Sequence, residues 1–146
     1  MYVDTVVFMY AFGAESPWRD ECRKFLRDAS TGALSTVTSV ETLQEFLHRY
    51  RVIGRGDQLE AAFSGVSACV RAVLPVTIGD VQEARTLGAT LGEAAAVLAR
   101  DLVHAAVARR HGVSTIVSYD RGFDLIPGVR RITPDDATRL GAWEDA

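Results

Sequence analysis

The sequence predicts an α/β fold: a mainly parallel sheet of about four to five strands with helices on both faces. Three observations carry that expectation. Short apolar runs recur along the chain, stretches of helical period separate them, and the first run, Met1-Tyr2-Val3, opens the chain and meets Asp4 at once. A strand buried on both faces belongs inside a sheet. Asp4 then stands at its carboxyl end, beside the crevice that the helices of an open α/β sheet leave uncovered.

The remaining elements follow in order. Thr5 to Phe12 stays apolar up to Gly13 and reads as a short buried helix with Thr5 as its N-cap. A second helix is expected from Ser16 as N-cap and Pro17 at the first position, with Cys22, Phe25, Leu26 and Ala29 facing inward and Gly32 closing it. Ala33 to Val37 reads as a second strand. Thr38 or Ser39 opens a helix to about Val52, packed through Leu43, Phe46, Leu47 and Tyr50, with Glu41 and Glu45 one turn apart on the other side. Gly54 and Gly56 break it. Asp57 to Leu74 has a helical pattern, Val76-Thr77-Ile78 is the expected third strand, and Gly79-Asp80 caps a helix to about Leu87. Glu93 to Arg110 is alanine-rich and helix-forming, packed through Leu102, Val103, Ala106 and Val107, with Asp101 directed away. Val113 to Ser118 is the fourth strand and delivers Asp120. Arg131-Ile132 is an edge strand, and Thr133-Pro134-Asp135-Asp136 starts a last helix with its acids on the dipole.

The chain has 146 residues, enough for one domain over 1–146 with a core that needs no staple. Its hydrophobic and charged fractions, 48% and 24%, suit a globular protein, and no apolar stretch is long enough to span a bilayer. Asp4 and the lack of a basic leader argue against a signal peptide at Val6 to Ala14, so a cytoplasmic protein is expected. Cys22 and Cys69 have no partner at metal-ligand spacing and read as reduced core thiols. A net charge of −3 excludes coating nucleic acid by bulk positive charge. Lys24 is the only lysine, so the cations are almost all arginines, and clusters such as Arg49, Arg51 and Arg55 could form a phosphate-binding rim.

The chemistry gathers at four acids. Asp4 and Asp120 end two strands at one edge of the sheet, while Glu45 and Asp101 lie on the exposed sides of helices that can flank it. Clustered carboxylates repel one another unless a cation holds them, and hard oxygen ligands suit Mg2+ or Mn2+ rather than zinc. Such a site favours phosphoryl chemistry on a metal-activated water. Singly, each acid also reads as a surface charge or turn residue. His104, one turn from Asp101, invites a general-acid role but reads better as a core or surface histidine. His48 and His111 read as helix-end residues, and Phe46, Tyr50 and Phe63 as core or dimer contacts.

At these positions the sequence resembles the PIN-domain nuclease family, in particular its bacterial toxin branch, the VapC type of toxin–antitoxin pairs. The resemblance runs over essentially the whole chain. It rests on Tyr2-Val3-Asp4-Thr5, on Thr38 to Phe46, and on Ala99-Arg100-Asp101-Leu102-Val103-His104-Ala105-Ala106 leading to Ile116-Val117-Ser118-Tyr119-Asp120-Arg121-Gly122-Phe123-Asp124. It implies a PIN-like three-layer domain in which Asp4, Glu45, Asp101 and Asp120 are catalytic metal-binding acids, with Asp124 an occasional contributor and Thr5 and Ser118 as hydroxyls near Mg2+ or Mn2+. It implies an endoribonuclease that cuts single-stranded or looped RNA to a 5' phosphate and a 3' hydroxyl, forms a homodimer, and is inhibited by a cognate antitoxin. Two departures stand out. Val6 replaces a small polar residue, and Glu41 competes with Glu45, which is preferred for its spacing from Ser39 and the Phe46-Leu47 that follows.

Rival readings fare worse. A haloacid-dehalogenase-type phosphatase needs an acid where Val6 stands, and both it and a receiver domain need a later lysine. Gly54-Arg55-Gly56 has Leu59 in place of a third glycine and follows no strand, which disfavours a dinucleotide enzyme. A PIN nuclease of RNA processing without an antitoxin, or a non-catalytic PIN-like binding module, remain as alternatives.

Overall fold

The structure, a computed structural model, describes residues 1–92 and 96–144, the last three by their backbone alone. Five strands form one sheet: β1 (Tyr2–Val3), β2 (Val37–Ser39), β3 (Ala72–Leu74), β4 (Thr115–Val117) and β5 (Arg130–Ile132). Their order is β3-β2-β1-β4-β5, every pairing is parallel, and Tyr2 is in register with both Val37 and Ile116. The strand order reverses between β1 and β4, so the crevice at their carboxyl ends is the natural site position.

Seven helices are described: α1 (Thr5–Phe12), α2 (Arg19–Ser30), α3 (Val40–Val52), α4 (Leu59–Ala68), α5 (Ile78–Leu91), α6 (Ala99–Arg110) and α7 (Pro134–Glu144). The alternation of side chains along the strands sorts them into two layers. Val3, Val117 and Ile132 pack with Phe8 of α1, Phe25 of α2, Phe46 of α3, Val66 of α4 and Ala137 of α7. Tyr2, Val37 and Ile116 face the other way, onto Leu87 of α5, Ala105 and Ala108 of α6, and Phe123. No described helix is long and apolar enough to cross a membrane, and Cys22 and Cys69 are free and buried.

Several boundaries differ from the sequence expectation. Strand β2 lies at 37–39 rather than 33–37, because buried hydroxyls serve in it as apolar residues would: Thr36 donates to Cys69 O at 2.8 Å and Thr38 to Val3 O at 2.8 Å. Strand β3 lies at 72–74, not 76–78. Pro75 has no N–H to continue the ladder, and Thr77 is instead the N-cap of α5, which extends past Leu87 to Leu91. Residues 57 and 58 form a 3-10 turn with Gly56 before α4 begins. Helix α1 begins at Thr5 with Asp4, not Thr5, in the cap position, and α2 begins at Arg19 rather than Pro17. In α3, Leu47 is 42% exposed and Thr42 is buried in the packed stripe instead. Helix α6 begins at Ala99; of the longer helix expected from Glu93, residues 93–95 lie outside the described residues, and Leu98 is extended.

The start of α5 is the most heavily bonded helix end. Asp80 accepts from Thr77 N at 2.7 Å and from Arg110 Nε at 2.6 Å and Nη2 at 3.0 Å, while Arg110 also reaches Pro75 O at 2.8 Å. Although burial opposes it, the Arg110 fork and the Thr77 bonds hold the Asp80 carboxyl below the usual range. Thr77→Ala is expected to lower the unfolding free energy by about 1 kcal/mol, and Asp80→Asn by more. Because the folded pKa is depressed, the Asp80 contribution is present above the unfolded carboxylate pKa and disappears as pH falls through the folded value. Urea unfolding of parent and variants at neutral and acidic pH checks both statements.

Candidate active site

Three elements bring their acids to the carboxyl end of the central strands. Asp4 follows β1 and is 5% exposed; its N–H continues the ladder to Val117 O at 3.1 Å. Ser118, directly after β4, donates to Asp4 Oδ2 at 2.6 Å and accepts from Asp120 N at 2.9 Å, so one hydroxyl ties the two strand ends together. Glu45 enters from α3, where its Oε1 accepts from Thr5 Oγ1 at 2.7 Å. Helix α6 supplies Asp101 from its first turn, and Leu98 N donates to Asp101 Oδ2 at 3.1 Å. That cap bond explains why a charged residue sits 4% exposed where a surface position was expected. Glu45 is likewise drawn inward, with its side chain 14% exposed.

His104 is the hub of the cluster. It is fully buried; its Nε2 lies 2.7 Å from Glu45 Oε1 and 3.8 Å from Asp4 Oδ1, and its Nδ1 lies 2.6 Å from Tyr2 Oη, whose one proton is donated to Ser39 Oγ at 2.7 Å. The ring also meets Tyr2 edge-on, with centroids 5.6 Å apart. Burial by itself would depress the imidazole pKa, but the Glu45 hydrogen bond and the charges of Asp4 and Glu45 outweigh it and raise it. Burial likewise opposes ionisation of Glu45, but the hydrogen bond and charge of His104, with Thr5 and Arg100, outweigh it and lower its pKa.

Asp4 and Asp101 go the opposite way. Burial raises Asp4 despite help from His104 and Ser118. Burial, then the charges of Asp4 and Asp120, push Asp101 up to about 6. These carboxylates therefore repel one another across a shared space, and the histidine offsets only part of the excess negative charge. Asp4, Glu45 and His104 offer ligand atoms all within 4.8 Å of one another. Hard carboxylate oxygens in excess of their counter-charges fit a divalent cation of the Mg2+ or Mn2+ type.

The other candidates are placed differently. Asp120 caps the following 3-10 turn, with its Oδ1 accepting from Gly122 N at 2.8 Å, and reaches the cluster through its charge on Asp101. Asp124 is forked to Arg131 at 2.9 and 3.0 Å. Glu41 lines the groove next to Glu45, one turn nearer the start of α3. Val6 packs against the core and gives no hydrogen bond, whereas Thr5 and Ser118 both bond acids of the site. The network roles of His104 and Tyr2 escape sequence reasoning. The available signal was a histidine one turn beyond Asp101 and level with the packed stripe of its helix.

Fold and site together define a class: a parallel α/β domain with a carboxylate cluster at the topological switch of its sheet. The PIN domain family model matches residues 1–129, and the chain belongs to the PIN-domain family. Ribonuclease VapC13 of Mycobacterium tuberculosis is 37% identical over 130 residues, 89% of this chain and 97% of that protein. Ribonuclease VapC23 of the same species is 40% identical over 123 residues (82% and 92%), and ribonuclease VapC7 is 34% identical over 145 (98% and 97%). Among solved structures, the complex VapBC2 from Rickettsia felis, bound to a DNA fragment from its promoter, has a chain of the same fold. Its TM-score is 0.70 at 15% identity, covering 90% of this chain and 96% of that one.

The raised Asp101 carboxyl has a stability consequence. A folded pKa of about 6 means that its favourable, protonated state is lost as pH rises from the unfolded value through 6, leaving a penalty at neutral pH. Asp101→Asn is expected to stabilise the protein in EDTA at pH 7 by roughly 1–2 kcal/mol, and to change little at pH 4. Added Mg2+ should then stabilise the parent more than the variant. Urea unfolding under the three conditions reads this; a variant no more stable at pH 7 would remove Asp101 from the repelling group.

Proposed function

We propose that this chain is a Mg2+- or Mn2+-dependent endoribonuclease and the toxin of a toxin–antitoxin pair. The observation that carries the reading is the cluster of Asp4, Glu45 and His104 at the sheet edge, with the charges of Asp4 and Asp120 acting on the neighbouring Asp101, in a chain whose relatives over most of its length bear ribonuclease names. Asp4, Glu45, Asp101 and Asp120 would hold the cation, which when bound supplies an activated water and charge neutralisation at the phosphodiester. The chain's own residues do the rest. Ser118 orients Asp4, Thr5 and His104 fix one oxygen of Glu45, and the Leu98 amide fixes one oxygen of Asp101. With both Glu45 oxygens engaged, by His104 on one side and Arg100 on the other, the carboxylate has one orientation toward the site.

The reading extends to a cytoplasmic homodimer of one domain over 1–146, silenced by its antitoxin; light scattering tests the dimer. Asp124, committed to Arg131, would contribute only if that fork opened. The alternative of a non-catalytic binding module requires a cluster that does not support cutting.

Purified protein is expected to cut a mixed RNA pool in Mg2+ or Mn2+, to stop in EDTA, and to lose at least about tenfold of its rate in Asp4→Asn. Inert parent and variant that both bind RNA would favour the binding module. Between the two acids of α3, Glu45→Gln should abolish Mn2+-dependent cleavage while Glu41→Gln keeps most of it. The reverse pattern would move the ligand role to Glu41.

A further inference from the structure

A charged groove leads away from the acid pocket. Its first part, a cavity of about 480 Å3, is lined among others by Met9, Glu41, Glu45, His48, Arg49 and Arg100. It shares Met9 and Arg49 with a second cavity of about 680 Å3, which continues between α1 and the end of α3 to Tyr10, Tyr50 and Arg55. Along α3 the charges change sign on one face: Glu41, Glu45 and Arg49 are spaced four residues apart, so they rise one turn at a time. Arg100 reaches Glu45 Oε2 with its Nε at 3.3 Å and keeps a 52% exposed side chain at the mouth. Among the described residues, no acid pairs with Arg49 or Arg55, whereas Arg110 and Arg131 are forked to acids.

We infer that this groove is the track of a single RNA strand, with Arg100 and Arg49 gripping the phosphates next to the acid pocket and Arg55 a further one. The inference rests on the nuclease reading for its substrate and goes beyond it in naming where the strand lies. Acids stand where a cation is needed, and arginines stand where phosphates leave it: Arg49 and Arg55 pair with no described acid, and Arg100, although paired with Glu45, keeps half of its side chain exposed. Arginine suits that task through its planar fork. Met9, Tyr10 and Tyr50, partly buried against the core, give the same groove an apolar wall. The cavities have the size of pockets for nucleotide-sized ligands.

The test measures RNA affinity separately from cutting. Full-length protein carrying Asp4→Asn is titrated into a short, unstructured, fluorescein-labelled RNA with Mg2+, between about 50 and 200 mM salt. Arg49→Ala and Arg100→Ala should each weaken binding and reduce the slope of log affinity against log salt by about 0.7, the increment for one single-strand phosphate contact. Arg49→Lys should restore the slope, and Arg27→Ala, on α2, should leave it unchanged. Unchanged slopes in both groove variants overturn the track and leave the groove to a protein segment; an equal loss in Arg27→Ala overturns it in favour of diffuse charge. Cleavage by the parent is scored apart. A protein that cuts with unchanged slopes sinks the track alone, and one that binds through the groove without cutting sinks the nuclease reading alone.

Discussion

Buried like charge at the carboxyl edge of the sheet is the constraint to which the surrounding structure answers. Taking a carboxylate out of water costs several kcal/mol unless partners replace the lost hydration. Here the partners are Ser118 for Asp4, Thr5 and His104 for Glu45, and a backbone amide for Asp101. Ser118 follows β4, Thr5 opens α1, and His104 and the Leu98 amide come from α6 and its N-cap. His104 depends in turn on Tyr2, whose ring is core and whose hydroxyl is buried between His104 and Ser39. A two-residue strand thus positions one acid and anchors the imidazole that steadies another.

That arrangement leaves negative charge partly uncompensated: the Glu45 carboxyl is held low against its burial by its histidine, while burial and then the charges of Asp4 and Asp120 push Asp101 high. A site preorganised for a cation has this signature, because the repulsion is stored in the fold and relieved on binding. The net charge of −3 is no obstacle to a nucleic-acid substrate when the signs are segregated along a single helix face.

Much of the fold was legible because apolar period and punctuation reflect local physics. The inward stripe of α2, the N-cap Ser39 of α3, the edge strand β5 and the capped start of α7 all lie where the pattern placed them. Thr133 shows why: it accepts from Asp136 N at 3.2 Å, a bond made within four residues. Strands β2 and β3 were harder. The first is built of Val37, Thr38 and Ser39, whose hydroxyls bond the distant Val3 carbonyl and Tyr2 hydroxyl, and the second is ended by a proline that the apolar run continues past.

Residue order alone supplied the inventory of the site, namely which acids end strands and which ride on helices, since both follow from short-range periodicity. It could not say that Glu45 and Asp101 turn inward, that Asp124 is committed to Arg131, or that His104 joins Tyr2 to Glu45 across 102 and 59 residues of chain. Those facts depend on burial and on pairings between remote segments. Desolvation and hydrogen-bond geometry come into being only when the sheet brings the segments together.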